Sequence, residues 1–288
     1  MTTDVRVYDD RVCALGEGPL WHPEREQLFW FDITEGKMLS REGDAPLEWQ
    51  FDEPVSAAGW IDRDTLMVAS ASALLCFDIE TGAREPIVSL EAENLYTRSN
   101  DGRADPVGGF WIGTMGREAE PRAGAIYRYF RGEVRRVVPD VTIPNAICFS
   151  PGGETAYYAD TATGIVWKQA VDRAGWPSGR REVFVDFSGV GLAPDGAVCD
   201  AQGNVWIAQW GAWRVACHGP DGRFKVALGV ASAHTTCPAF GGPDLRTMFV
   251  TSATQGLEDG LLDHQPGGGK TWAARMPVAG IRERRVVP

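Results

Sequence analysis

The chain has 288 residues, of which 44% are hydrophobic and 23% charged, as is usual for a globular protein. Its formal net charge of −11 argues against a nucleic-acid or anionic-membrane partner, because both are bound through basic patches. The sequence has no apolar run long enough to cross a membrane and no signal-peptide core near Met1, so we expect a cytoplasmic protein. Its six cysteines are scattered, mostly in apolar runs, and are expected to be reduced structural thiols.

Six segments of the chain share one plan, in which a turn rich in Pro, Gly and Asp precedes an apolar strand. In chain order these segments are residues 21–33, 60–71, 105–115, 149–161, 199–210 and 240–252. Their apolar cores are rich in aromatic and β-branched residues, which favour strands. A further strand is predicted after most of them, at residues 73–79, 124–130, 164–171, 213–218 and 270–278.

The repeat has the period of a propeller blade. With equivalent turn positions at residues 23, 62, 106, 151, 201 and 243, the spacings are 39, 44, 45, 50 and 42 residues. Helical periodicity is absent from the sequence, which argues against all-α and α/β folds. We therefore predict an all-β fold, a six-bladed β-propeller with a central channel, in a single domain over residues 1–288. The leading strand VRVYDD is expected to pair with the last blade and close the ring.

The innermost strand of each blade lines the channel, so residues at one equivalent position converge on the axis. The position six residues before each turn is occupied by Glu17, Ser56, Asn100, Asn145, Asp195 and Cys237. Two carboxylates and two amides facing one axis predict an all-oxygen metal site, which suits Ca²⁺, Mg²⁺ or Mn²⁺ best and also accepts Zn²⁺ or Fe²⁺. Two other interpretations stay open: a polar position at solvated strand ends, and a structural Ca²⁺ that plugs the channel.

Other catalytic motifs are missing from the sequence, which has no G-x-S-x-G elbow, no P-loop and no H-E-x-x-H segment. The four histidines show no metal-ligand spacing and are interpreted as surface or loop residues: His22, His218, His234 and His264. His234 lies just before Cys237 and could approach the channel.

Five segments carry a family resemblance. They are LGEGPLWHP (15–23), RSNDGRADPVGGFWIGTM (98–115), IPNAICFSPGG (143–153), APDGAVCDAQGNVWIA (193–208) and FGGPDLRTMFVTSA (240–253). In this order and spacing the sequence resembles the gluconolactonase and regucalcin family along nearly its whole length. That resemblance implies a six-bladed propeller that uses one divalent metal ion, Ca²⁺ above the others, to hydrolyse a sugar lactone as its small-molecule substrate.

The resemblance also implies roles for individual residues. It places the metal ligands at Glu17, Asn145 and Asp195, with Asp195 also acting as general base on a metal-associated water. It further implies substrate contacts from Arg98, Asn100 and Glu118. These roles predict hydrolysis of an aldono-1,4- or 1,5-lactone to the aldonic acid.

The sequence departs from the family at Ala146, where the family usually has glycine after its Asn ligand. Alanine disfavours a positive φ, so we expect the local backbone or the pocket shape to differ. The eleven tryptophans are expected to pack between blades, although Trp210 and Trp213 flank a loop where they could bracket a sugar ring. Two other functions stay open, a phosphotriesterase or arylesterase propeller and a non-enzymatic calcium-binding propeller.

Overall fold

The computed structural model describes residues 4–257 and 267–288. Within these ranges the strands form six sheets of four antiparallel strands, one sheet for each blade. The first blade consists of β2 (Gly16–His22), β3 (Gln27–Asp32), β4 (Lys37–Glu42) and β5 (Ala45–Gln50). The second consists of β6 (Val55–Trp60), β7 (Thr65–Ser70), β8 (Ala73–Asp78) and β9 (Arg84–Ser89). The third consists of β10 (Thr97–Ala104), β11 (Phe110–Gly116), β12 (Gly124–Phe130) and β13 (Glu133–Val141).

The second half of the ring repeats this order. The fourth blade consists of β14 (Pro144–Phe149), β15 (Thr155–Asp160), β16 (Ile165–Val171) and β17 (Pro177–Asp186). The fifth consists of β18 (Ala193–Cys199), β19 (Val205–Trp210), β20 (Arg214–His218) and β21 (Phe224–Gly229). The sixth consists of β22 (Thr235–Gly241), β23 (Thr247–Ser252), β24 (Thr271–Arg275) and β1 (Val5–Asp9). Two 3-10 turns, Thr161–Thr163 and Ser188–Val190, interrupt the connections of blades four and five.

The amino-terminal strand closes the ring. β1 pairs antiparallel with β24, with Val5 opposite Ala274, and so forms the outer edge of the sixth blade. The predicted six-bladed fold and the predicted closing strand are both confirmed. Each predicted apolar core lies in the second strand of its blade, and the predicted third strands correspond to β8, β12, β16, β20 and β24.

The hydrophobic core is divided among the blades, with one cluster between each neighbouring pair. Both faces of a blade are covered by its neighbours, so side chains that alternate along a strand are buried on either side. The tryptophans follow this rule as predicted: Trp111 packs between blades three and four, and Trp30 between blades six and one. Burial of such a large aromatic side chain stabilises the propeller by about 1.5–3 kcal/mol.

The innermost strands β2, β6, β10, β14, β18 and β22 contact one another in a closed circle around the channel. The carboxyl-terminal strap, residues 279–288, crosses one end of this circle. It bonds to several blades, for example through the Val286 amide to the Trp60 carbonyl and the Gly280 amide to the Leu245 carbonyl. Among the described residues, no helix is long and apolar enough to cross a membrane.

Candidate active site

A pocket of about 380 Å³ opens at the amino-terminal ends of the innermost strands. Six of the residues singled out in the sequence line it: Glu17, Arg98, Asn100, Glu118, Asn145 and Asp195. The remaining wall comes from loops and from the ends of second strands, including Arg117, Thr161, Trp210 and Gln255. The structure thus brings residues from five blades into one concave site with both polar and apolar lining.

A bulge in each innermost strand aims these side chains at the channel. On β2, the three steps from Glu17 to Leu20 face two steps on β3, so β2 carries one extra residue. The other five innermost strands show the same excess of one residue, in each case within three residues of the aligned position. A bulge leaves its extra residue unpaired and redirects the neighbouring side chains, which explains why polar residues there leave the sheet and face the axis.

Two aspartates anchor the strands that carry Glu17 and Asn145. The Asp32 carboxylate accepts hydrogen bonds from the backbone amides of residues 14 and 15, at 2.8 and 3.0 Å. Asp160 does the same in the fourth blade, accepting from residues 142 and 143 at 3.0 Å each. In each blade the second of the two bonded amides lies two residues before the predicted ligand. The same hydrogen-bonding pattern therefore positions the side chains of Glu17 and Asn145.

Carboxyl groups crowd the floor of the pocket. Glu17 and Asp195 are 5% exposed and contact each other through their side chains. Burial and the neighbouring Asp101 carboxylate raise the pKa of both groups above the ordinary range. Glu17 raises the pKa of Asp195 further, whereas the hydrogen bond shared with Asp195 lowers that of Glu17. Burial also raises the pKa of Asp101 to about 6. A cluster of this kind binds either protons or a cation more readily than a solvated carboxylate does.

A hydrogen-bonded chain orients the Asn145 amide. Its Nδ2 donates to the Thr161 hydroxyl at 2.8 Å, and that hydroxyl donates to the Pro194 carbonyl at 2.6 Å. The Asn145 Oδ1 accepts from Asn100 Nδ2 at 3.1 Å, and Arg98 donates to Asn100 Oδ1 at 2.8 Å. Because Thr161 holds the nitrogen of the Asn145 amide, the oxygen of that amide is turned to the side of the channel.

The cationic and rim residues complete the site. Arg98 is 8% exposed, and burial lowers its pKa to about 10. Its guanidinium donates to the Ser99 carbonyl and to Asn100, so both of these described contacts go to neutral oxygens. Glu118 is exposed at the mouth of the pocket, beside Arg117, where it can reach a bound hydroxyl group.

The donor set and the charge of the channel fit a divalent cation. Among the described residues, the charged side chains that line the pocket below its exposed rim, or the small cavity beneath it, are Glu17, Arg98, Asp101, Arg103, Asp195 and Glu283. Four carboxylates against two guanidiniums leave a formal charge of −2. Two carboxylates and one amide supply the oxygen donors that hard divalent ions take. Glu17, Asn145 and Asp195 would hold such an ion, and their role as ligands stays a prediction.

Other predicted residues lie elsewhere. Ser56 is buried beside the site and donates to the Asn100 carbonyl at 2.6 Å, whereas Cys237 lines the small cavity beneath the pocket. Trp213 is 42% exposed and lies outside the described pocket lining. The interpretation of the histidines as surface or loop residues is wrong for His22 and His218, which are buried in β2 and β20. His234 lies in the loop before β22, although it is buried there. His264 lies outside the described residues.

Ala146 adopts the conformation that its side chain disfavours. Its φ is 56°, close to the 54° of Gly18, the residue that follows Glu17. The prediction that alanine would avoid a positive φ here is therefore wrong. Ala146 is fully buried within the cluster between blades four and five, and that packing compensates for about 1–2 kcal/mol of backbone strain.

Sequence reasoning missed Asp101 and Thr161. Asp101 follows Asn100 directly, but strict alternation along a strand would turn it away from the channel; the bulge after Ser99 overrides this. Thr161 belongs to the turn between β15 and β16, outside the innermost strand on which the blade alignment rested. An acidic residue adjacent to the aligned position was the one available signal for Asp101.

The fold and this pocket define a class: a six-bladed propeller with a buried pair of carboxylates at one end of its channel. The chain belongs to the SMP-30/gluconolactonase/LRE-like family, whose model matches residues 15–254. It is 34% identical to the L-arabinolactonase of Azospirillum brasilense over 284 residues, 96% of this chain and 93% of that protein. It is 31% identical to the 6-deoxy-6-sulfogluconolactonase of Pseudomonas putida over 274 residues, 94% of each chain.

A solved structure agrees with this assignment. The calcium-binding protein regucalcin of Agrobacterium tumefaciens superposes with a TM-score of 0.97 at 37% identity, covering 100% of this chain and 99% of that one. The predicted family is therefore confirmed. The names of the two enzymes agree with the predicted enzyme class, the hydrolases of carboxylic esters.

Proposed function

We propose that this protein hydrolyses a sugar lactone to the aldonic acid with the help of one divalent cation, most suitably Ca²⁺. The observation that carries the proposal is the contact between the buried carboxyl groups of Glu17 and Asp195 on the floor of the pocket. Family membership and the lactonase names of two relatives support the substrate class. The regucalcin name of the solved relative supports calcium.

The side chains divide the work in the following way. Arg98 donates to the ring oxygen or a hydroxyl of the lactone, while Asn100 and Glu118 orient other hydroxyls. Asp195 takes a proton from water as the water oxygen attacks the carbonyl carbon. The bond between that carbon and the ring oxygen then breaks, and the released oxygen is protonated to give the hydroxy acid. When bound by Glu17, Asn145 and Asp195, the cation would polarise the carbonyl.

Metal exchange and a substrate panel test the proposal together. The protein is stripped of metal with EDTA and reconstituted singly with Ca²⁺, Mg²⁺, Mn²⁺, Zn²⁺ or Fe²⁺. Initial rates of acid release are then measured on five- and six-carbon aldonolactones, one phosphotriester and one aryl ester, with enzyme-free hydrolysis subtracted. We expect lactone hydrolysis to vanish on stripping and to return with at least one ion.

Two outcomes contradict the proposal. Turnover of the phosphotriester or aryl ester with inert lactones would assign the same site to another ester class. A stripped protein that loses only thermal stability, with every substrate inert before and after reconstitution, would assign the cation a structural role in a non-enzymatic propeller.

A further inference from the structure

Among the described residues, one aromatic side chain lines the pocket. Trp210 ends β19 in the fifth blade, lines the pocket and is partly exposed. Its indole ring stacks on the imidazole of His234, with ring centroids 4.0 Å apart and an angle of 14° between the planes. Since the imidazole covers one face of the indole, the exposed part of the ring belongs to the other face and its edges.

The stacked pair is held in place by the sixth blade. His234 is 9% exposed, and its Nδ1 donates to the Gln255 carbonyl at 2.9 Å. A Cβ added at Gly256 would lie 3.6 Å from His234 and 3.8 Å from Trp210, so the backbone there lies against the edges of both rings. Trp210 also packs against the cluster between the first two blades. These contacts fix the orientation of the indole before any ligand binds.

The rest of the pocket offers a different chemistry. Arg98, Asn100 and Glu118 bring charged and amide groups from the third blade, which can hydrogen-bond to hydroxyls. The indole offers an apolar plane, with its nitrogen as a single donor. A ligand that matches both the polar side chains and the indole has hydroxyl groups around its edge and a flat face of C–H bonds. Cyclic sugar derivatives have this shape, whereas open-chain polyols have no rigid face.

We propose that Trp210 is a specificity-determining residue that recognises the closed ring of the substrate by stacking against its C–H face. The inference rests on the proposed lactone hydrolysis and deepens it. Ring opening removes the flat face, so the Trp210 indole favours the cyclic lactone over the open-chain acid. The weaker binding of the acid assists product release. His234 acts as a positioning residue, because it reaches the ligand through the indole.

Binding and turnover are measured separately to test this. The probes are 1,5-anhydro-D-glucitol, a ring without an ester, and D-glucitol, its open-chain counterpart, both titrated calorimetrically into calcium-supplemented protein. In Trp210→Leu we expect the Kd of the ring probe and the lactone KM to rise about tenfold, with kcat within about threefold of the wild type. Trp210→Phe retains a plane and is expected to recover most of the affinity.

A matched substitution controls for loss of a tryptophan. Trp213→Leu changes the same residue type three positions away, outside the described pocket lining, and is expected to leave Kd and KM within about twofold. His234→Gln, which removes the stacked ring, is expected to fall between the wild type and Trp210→Leu. Circular dichroism and the melting temperature establish that each variant is folded.

The outcomes separate this inference from the proposed function. If Trp210→Leu hydrolyses lactones with an unchanged KM and binds the ring probe with an unchanged Kd, stacking on Trp210 is overturned and the proposed function stands. If Trp210→Leu weakens the binding of D-glucitol and of the ring probe equally, recognition of the closed ring is overturned. If lactones are inert while binding of the ring probe still depends on Trp210, the stacking is supported and the proposed function is contradicted.

Discussion

The two ends of the channel use the same residue types in opposite ways. At the open end, Glu17 and Asp195 face each other, and the nearby Arg98 donates to neutral oxygens. At the end covered by the carboxyl-terminal strap, Arg103 donates directly to Glu283 in a buried ion pair. One end therefore retains uncompensated negative charge in an accessible pocket, and the other neutralises its charge and is covered.

This difference indicates how a propeller separates function from stability. Paired charges in the interior satisfy each other, whereas like charges brought together raise the free energy of the folded state until a proton or a cation binds. The open end keeps that unfavourable arrangement where a ligand can relieve it. The covered end supplies a strap whose bonds span several blades. Substitutions at the two ends should therefore have different signatures.

Removal of the base at the open end should have the largest effect. We expect Asp195→Asn to reduce kcat for lactone hydrolysis by about 10²–10⁴-fold, since the amide cannot accept the proton of the attacking water. Initial rates at saturating lactone, with calcium binding followed by calorimetry, measure this. Glu283→Gln, the same kind of change at the covered end, is the control and should keep near wild-type kcat at 25 °C. Near wild-type hydrolysis by calcium-loaded Asp195→Asn would remove the assignment of Asp195 as base.

Breaking the ion pair at the covered end should mainly cost stability. Glu283→Gln leaves the Arg103 guanidinium buried without its counter-ion, and we expect the free energy of unfolding to fall by about 3–5 kcal/mol. Urea denaturation measures the loss. The double variant Arg103→Met/Glu283→Leu removes both members of the pair and should recover part of the loss, since the Asp101 carboxyl stays buried beside the same cavity. A loss below about 1 kcal/mol in Glu283→Gln would show that the strap does not depend on this pair.

A smaller effect is expected behind the predicted ligand Asn145. Thr161→Val keeps the shape but removes the hydroxyl that orients the amide, and we expect calcium to bind about 10–100-fold more weakly. Calorimetric titration of the stripped protein measures this affinity without any turnover. Thr163→Val, on the same 3-10 turn but bonded to the Asp160 carbonyl, is the control. Equal calcium affinity in both variants would contradict the orienting role of Thr161.

The smallest effect concerns pH at the covered end. His22 ends β2, is fully buried and accepts hydrogen bonds from the Glu24 and Arg25 amides at Nδ1; burial lowers its pKa. Below about pH 6.5 the unfolded chain therefore binds a proton at His22 that the folded chain does not bind. The contribution of the neutral, buried His22 to stability is present above that pH and is lost below it. We expect the free energy of unfolding of the wild type to fall as the pH decreases below about 6.5, and its pH profile to be flatter in His22→Gln. Identical profiles would contradict this.

Much of the fold was predictable because each blade is a local unit. The apolar second strands and their turns lie close together in sequence, so the repeat period alone predicts the ring. The outer strands escaped prediction because exposed residues break the apolar pattern, as in β5, where no residue is fully buried. The third strand of the first blade, β4, was missed as well.

The candidate site was predictable to the extent that it follows the repeat. Glu17, Asn100, Asn145 and Asp195 occupy one equivalent position and line one pocket. Their roles as metal ligands, base and substrate contacts stay predictions that the experiments above test. Arg98 and Glu118 came from the family resemblance alone, since no periodicity singles them out.

By itself, the sequence determined the period, the all-β class and the position in each blade that faces the channel, because these depend on contacts between neighbouring residues and strands. Tertiary structure decided which carboxyl groups meet, which end of the channel is covered, and which aromatic ring faces the pocket. Arg103 and Glu283 are 180 residues apart, and Trp210 and His234 belong to different blades. Such pairs come together when the ring closes, so their chemistry is absent from any local pattern.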